Sequence, residues 1–229
     1  MKYNYWENTY WFKVCDYNLI DKVYQNIKED DRIIFVVRHA ERWRDFSHKW
    51  GLVESGIEQA KKLWKRLQGW RFSDTTSDFY WSTAFRRTVE TSYYIGQARW
   101  YPWFTAQELS DWDNFDWVYH PIKVVDYDYY RKFRIEDRYK EHKELWKEKS
   151  LALVATLCEL TENHPFSWIT THDMIVVPFL CRLTDLKLSF TKETWINYLS
   201  WFAIIIHQDW LYELYPIRSL KERTMALFD

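Results

Sequence analysis

The chain has 229 residues, with 32 Lys+Arg against 33 Asp+Glu, 47% hydrophobic residues, 21% aromatics and only four glycines. Average usage of about 7% would give roughly 16 glycines, and the four present (Gly51, Gly56, Gly69 and Gly96) lie too far apart to build a Walker-type loop or a G-x-G-x-x-G turn. The near-zero net charge argues against a nucleic-acid-binding protein, and the apolar content argues against disorder.

The N-terminal stretch is apolar but interrupted by Glu7, Lys13, Asp16 and Asp21, so it lacks the continuous apolar run of a signal peptide. Spacing predicts a helix over 8–29, with Trp11, Val14, Cys15 and Leu19 on one stripe. The run from Arg32 to Arg38 is short, apolar and bounded by charge, as expected of a strand buried on both faces. A helix follows over 54–68, with Ile57, Ala60, Leu63, Trp64 and Leu67 on one face and Gly69 as its stop. Asp78–Ser82 reads as a second strand, 84–98 as a helix and Trp100–Ala106 as a third strand. Residues 128–162 read as one long helix or two. Trp146, Leu153, Leu157 and Leu160 face inward, and Glu136/Lys140 and Lys140/Glu144 mark the solvated face. Phe166–Thr171 is a fourth strand, followed by a helix over 173–184. Tyr198–Ile206 and Trp210–Tyr215 read as a hairpin or adjacent strands.

Strand and helix alternate, which predicts an α/β protein: a three-layer α/β/α sandwich with a mostly parallel central sheet. No linker or repeat divides the sequence, so one domain over 1–229 is expected, with 110–150 as a helical insertion forming a lid. No run of about 18 apolar residues is present, so no membrane span is expected. The three cysteines (Cys15, Cys158 and Cys181) form no metal-ligand pattern and suggest a reducing compartment, which points to the cytoplasm.

Two histidines stand at equivalent places. His39 follows the strand ending at Arg38, and His172 follows the strand ending at Thr171. In open α/β sheets, ligands bind beyond the carboxyl ends of strands. The second strand runs into a helix whose first turn holds Arg86 and Arg87. Cations there oppose the helix dipole, but they suit an anion held between guanidinium groups and the helix N-terminus.

These residues resemble the histidine phosphatase superfamily, which is phosphoglycerate mutase-like in fold and includes the histidine acid phosphatases. The family's Arg-His-Gly appears as Arg38-His39-Ala40. Its Leu-Thr-x-x-Gly-x-x-Gln-Ala helix start appears as Leu52-Val53-Glu54-Ser55-Gly56-Ile57-Glu58-Gln59-Ala60. Its Ser-x-x-x-Arg-Ala-x-x-Thr segment appears as Thr83 through Thr91, and its second histidine as His172 followed by Asp173. The matches cover 32–98 and 166–184, and leave 1–30 and 110–160 uncovered.

The resemblance implies a metal-independent phosphomonoester hydrolase that needs no cofactor. His39 would be the nucleophile, and Arg38, Arg87 and His172 would bind the phosphoryl oxygens. Arg42 would correspond to a second arginine of the acid-phosphatase motif, whose proline is absent here. A neutral imidazole is nucleophilic, and covalent catalysis divides one hard displacement into two. Fixed guanidinium forks then stabilise the equatorial charge. Arg86 competes with Arg87 for the pocket, and the four-residue spacing to Thr91 favours Arg87. The leaving oxygen needs a proton from a carboxylic acid. Asp173 is the favoured donor and Glu108, after the third strand, the alternative. Two departures stand out. Ala40 can replace glycine only if the backbone there avoids positive φ, and Val53 removes a hydroxyl cap from the next helix. The expected partner is a small phosphorylated substrate, with no nucleic acid and no membrane. The alternatives are a phosphotransferase or mutase using the same phosphohistidine, a catalytically silent binder of phospho-ligands or carbohydrate, and an interaction protein whose exposed aromatics form a homodimer surface.

Overall fold

Six strands pair into one sheet: β1 (Phe12–Val14), β2 (Arg32–Arg38), β3 (Phe79–Ser82), β4 (Phe166–Thr171), β5 (Trp201–Ile206) and β6 (Tyr212–Tyr215). Five helices accompany them: α1 (Ile20–Gln25), α2 (Glu54–Leu67), α3 (Arg86–Gly96), α4 (Lys143–Leu160) and α5 (Asp173–Leu183). The computed structural model describes residues 12–14, 20–43, 51–67, 79–83, 85–96, 140–141, 143–183, 195–209 and 212–216. The expected strand at Trp100–Ala106, the stop at Gly69, Glu108 and the greater part of the 110–150 insertion lie outside these residues.

The strand order is β1-β6-β5-β2-β4-β3. β2, β4 and β3 run parallel, as do β1 and β6, whereas β5 is antiparallel to both of its neighbours. Alternation along β2 divides the core in two. Ile33, Phe35 and Val37 face a cluster with Ile20 and Val23 of α1, Ala60 and Leu63 of α2, and Ile95 of α3. Ile34 and Val36 face the opposite cluster, with Leu153 and Leu157 of α4 and Val176 and Leu180 of α5. This is the three-layer arrangement expected from the sequence.

Among the described residues, a group of aromatic side chains packs the sheet itself. Phe35 lies with its ring centroid 5.4 Å from Trp168, 5.6 Å from Trp201 and 5.9 Å from Phe166, and all four side chains are buried. Such rings bury large apolar areas and gain further from tilted and edge-on contacts.

Two expectations need correction. The helix over 8–29 is instead a strand at Phe12–Val14 and a six-residue helix at Ile20–Gln25. An aromatic, apolar run satisfies strand as well as helix periods, and pairing with β6 (Phe12 opposite Tyr212) decides it. The strand expected from Tyr198 begins at Trp201, because Leu199 takes φ 56° and turns the chain just before it.

Candidate active site

The sheet register places the site. Arg38 pairs with Thr171 and Ser82 with Thr170, so β2, β3 and β4 end together. His39, Thr83 and His172 are the residues that follow these three ends. The His39 N–H donates to the Thr171 carbonyl at 2.9 Å and the Thr83 N–H to the Thr170 carbonyl at 3.1 Å, so the register extends past the strands. Because β5 is antiparallel, its start at Trp201 lies opposite Val37, and the segment 195–200 arrives at the same edge.

The structure brings together Arg38, His39, Arg87, His172 and Asp173. His39 and His172 are each 2% exposed, with ring centroids 5.4 Å apart. His39 Nδ1 lies 2.7 Å from the Ala40 carbonyl oxygen. A carbonyl can only accept, so Nδ1 carries the proton and Nε2 keeps its lone pair. Burial, then the charge of Arg38, lowers the His39 pKa to about 3. Burial, then His39 and Arg87, holds His172 well below the ordinary histidine range. Both rings are therefore neutral at neutral pH.

Arg87 is 8% exposed. Its Nη2 lies 3.5 Å from His172 Nδ1, and its guanidinium stacks 4.5 Å from the Phe85 ring centroid. Arg86 turns outward and pairs with Glu90 at 2.6 Å. Thr91 holds α3 to the loop after His39: its hydroxyl accepts from the Ala40 N–H at 3.0 Å and donates to the Arg87 carbonyl at 2.7 Å. Arg42 forms a backbone bridge with Leu52 and donates from Nη1 to the Trp43 carbonyl at 2.7 Å.

The α2 motif has a packing reason. A Cβ on Gly56 would lie 2.0 Å from the Glu41 carbonyl oxygen, so only glycine lets the helix approach the loop after His39. The same carbonyl accepts from the Val53 N–H at 3.2 Å, and the Ser55 hydroxyl donates to Glu41 Oε2 at 2.6 Å. Ala40 is tolerated because, among the described non-glycine residues, only Leu199 has positive φ.

Four residues outside the sequence reading also reach the site, all from the segment before β5: Trp195, Ile196, Tyr198 and Leu199. The Asp173 carboxylate accepts from Arg38 Nη2 at 3.0 Å and from Trp195 Nε1 at 3.1 Å. Arg38 also donates from Nη1 to the Ile196 carbonyl and lies 4.5 Å over the Tyr198 ring. Its Nε is buried with no hydrogen-bond partner among the described residues, which leaves an oriented donor. Tyr198 stands 5.8 Å from the His39 ring, and the Leu199 N–H donates to the His39 carbonyl at 3.4 Å. Among the described residues, no group of three His, Cys, Asp or Glu side chains is gathered as for a metal ion. None of their helices is long and apolar enough to cross a membrane.

The neutral histidines link the site to stability. Between the ordinary histidine pKa of 6.5 and about 3, the unfolded chain binds a proton at His39 that the folded site refuses. Stability is therefore complete above that window and falls as pH drops through it. The urea midpoint is expected to decrease between pH 7 and pH 4, and to decrease less in His39→Gln. Parallel profiles for the two proteins would contradict the buried neutral ring.

Comparison with known proteins follows the same lines. The family model for the histidine phosphatase superfamily (branch 1) matches residues 34–212. A crystal structure of phosphoglycerate mutase from Bacillus anthracis str. Sterne is similar at TM-score 0.54 and 16% identity, covering 86% of this chain and 96% of that one. Phosphoserine phosphatase from Entamoeba histolytica, solved in complex with 3-phosphoglyceric acid, is similar at TM-score 0.51 and 15% identity, covering 86% of this chain and 100% of that one. No curated protein matches the chain by sequence.

Proposed function

Because the chain belongs to the histidine phosphatase superfamily (branch 1), we propose that it hydrolyses small phosphomonoesters through a phosphohistidine at His39. The observation that carries this reading is the buried, neutral His39. Its Nδ1–H is committed to the Ala40 carbonyl, and it lies beside Arg38, Arg87 and His172.

In the first step the Nε2 lone pair attacks phosphorus and the P–O bond to the leaving alkoxide breaks. A carboxylic acid delivers the proton that makes the product alcohol. Arg38 and Arg87 hold the equatorial oxygens, with electrostatics supplying the stabilisation that the transferring group needs. In the second step water attacks the phosphohistidine and its proton goes to the carboxylate left by the first step. Inorganic phosphate leaves, and His39 Nε2 regains its lone pair. A mutase would follow the same first step and pass the group to a second substrate hydroxyl.

Asp173 is the acid in this reading. It rests against Arg38, and a phosphoryl dianion on the same guanidinium places two negative groups side by side. Like charges at that distance favour one of them taking a proton. With a poor leaving group, such as an alkyl phosphate, Asp173→Asn is expected to lose about 10²–10⁴-fold in rate. It should lose far less with p-nitrophenyl phosphate, whose leaving group needs no proton. Glu108→Gln should change neither. The opposite ranking assigns the acid to Glu108.

Turnover of p-nitrophenyl phosphate in excess EDTA tests the reading as a whole. Hydrolysis that survives the chelator and disappears in His172→Ala is the expected result. Loss of activity on chelation, or release of phosphate unchanged by that substitution, would count against it.

A further inference from the structure

The hydroxyls behind His172 carry a direction. Thr88 Oγ1 lies 2.7 Å from the Thr83 carbonyl, 2.7 Å from the Phe85 carbonyl and 2.9 Å from Thr83 Oγ1. Both carbonyls can only accept, so the single Thr88 proton goes to one of them. The Thr83 hydroxyl must then donate to Thr88. Its remaining contact is His172 Nε2 at 2.9 Å. With its own proton spent, Thr83 Oγ1 accepts there, and the imidazole donates. The opposite face of the ring agrees. Arg87 Nη2 is a donor that cannot be an acceptor, and it faces His172 Nδ1 at 3.5 Å.

From this chain of donors and acceptors, we infer that Thr83 is a positioning residue that locks His172 in the Nε2–H tautomer. The two site histidines are then held as opposite tautomers, His39 with its proton on Nδ1 and His172 with its proton on Nε2. Thr88 sets the direction, and its backbone partners Thr83 and Phe85 precede α3, so the lock is built into the β3–α3 turn.

The lock has a chemical consequence, which rests on the phosphatase reading. A neutral His172 presents a lone pair at Nδ1, and a lone pair repels a phosphoryl oxygen. His172 can bond that oxygen only by taking a proton at Nδ1 as the anion arrives. The charged and titratable groups around the ring are Arg87 from α3, His39 and Arg38 at the end of β2, and Asp173 at the start of α5. With His39 neutral, both arginines oppose the proton and Asp173 favours it, so a phosphoryl dianion is what tips this balance. Anion binding is thereby coupled to proton uptake.

Long-range proton–nitrogen spectra of protein labelled with ¹⁵N-histidine test the assignment, with His172→Gln used to identify the resonance. Wild type should show His172 as Nε2–H and His39 as Nδ1–H. Thr83→Val should release His172 into a mixture of tautomers, and Thr83→Ser should restore the single form. Finding His172 as the Nδ1–H tautomer in wild type, or unchanged in Thr83→Val, overturns the proposal. On addition of inorganic phosphate to wild type, His172 should convert to the doubly protonated ring. Phosphate that binds without that change overturns the coupling. Phosphate that fails to bind speaks against the phosphatase reading, while the tautomer comparison still decides the role of Thr83.

Discussion

Replacing His39 by alanine is expected to abolish turnover, with a loss of at least about ten-thousand-fold. In the proposed mechanism the substitution removes the atom that bonds phosphorus, and no neighbour can stand in. His172 is the nearest imidazole, but its Nε2 faces Thr83 and its Nδ1 faces Arg87. The fold should survive, because the ring's hydrogen bond is to the carbonyl of the very next residue. Removing a buried neutral imidazole should even ease the acid sensitivity described above. A steady-state assay beside a circular dichroism melt separates the two effects. Residual turnover within a few-fold of wild type in a folded protein would show that phosphorus is attacked by something else.

The second large effect is expected at Arg87. Losing one preorganised cation at a developing oxyanion costs about 10²–10³-fold, and Arg87→Ala should fall in that range in kcat/KM. Arg87→Lys should recover only part, since an ammonium replaces charge but not the planar fork. The neighbouring Arg86 supplies the control. It is exposed and bound to Glu90, so Arg86→Ala should leave turnover nearly intact. The contrast between adjacent arginines depends on the helical phase that puts Arg87 inside, and equal losses would place both at the substrate. The Thr91 bond is to the Arg87 backbone carbonyl, so it persists in every Arg87 variant.

The sequence carried those parts of the site that lie on regular elements. His39 and His172 were legible because each ends an apolar strand, and the strand register brings them together. Arg87 rather than Arg86 was legible from its spacing to Thr91, a helical relation that the fold respects. The segment Trp195–Ser200 was not legible. Trp195, Tyr198 and Leu199 match no local pattern, and they reach Arg38, His39 and Asp173 only because β5 runs antiparallel beside β2. Which strand lies beside which is a property of the whole sheet, and six residues of sequence do not contain it. The Thr83–Thr88 pair was hidden for a different reason. It sits inside a recognised motif, but its meaning lies in where each proton goes, which needs distances.

Glycine scarcity also has a structural counterpart. At Leu199 a left-handed backbone, where glycine would be ordinary, is occupied by a fully buried leucine. Such a conformation costs about 1–2 kcal/mol for an L-residue. Buried apolar contact of the leucine side chain in the cluster with Trp201 and Phe35 offsets it. The result holds the turn that seats Tyr198 against Arg38 and brings the Leu199 N–H to the His39 carbonyl.

The central claim is a covalent bond between phosphorus and His39, and it can be observed directly. Wild type turning over a phosphomonoester would be quenched in alkaline denaturant, which preserves the acid-labile N–P bond, then digested and mapped by mass spectrometry. The account predicts phosphate on the peptide carrying His39, and none on that peptide in His39→Ala. Turnover with no phosphorylated peptide, or with phosphate on a peptide that lacks His39, would contradict it.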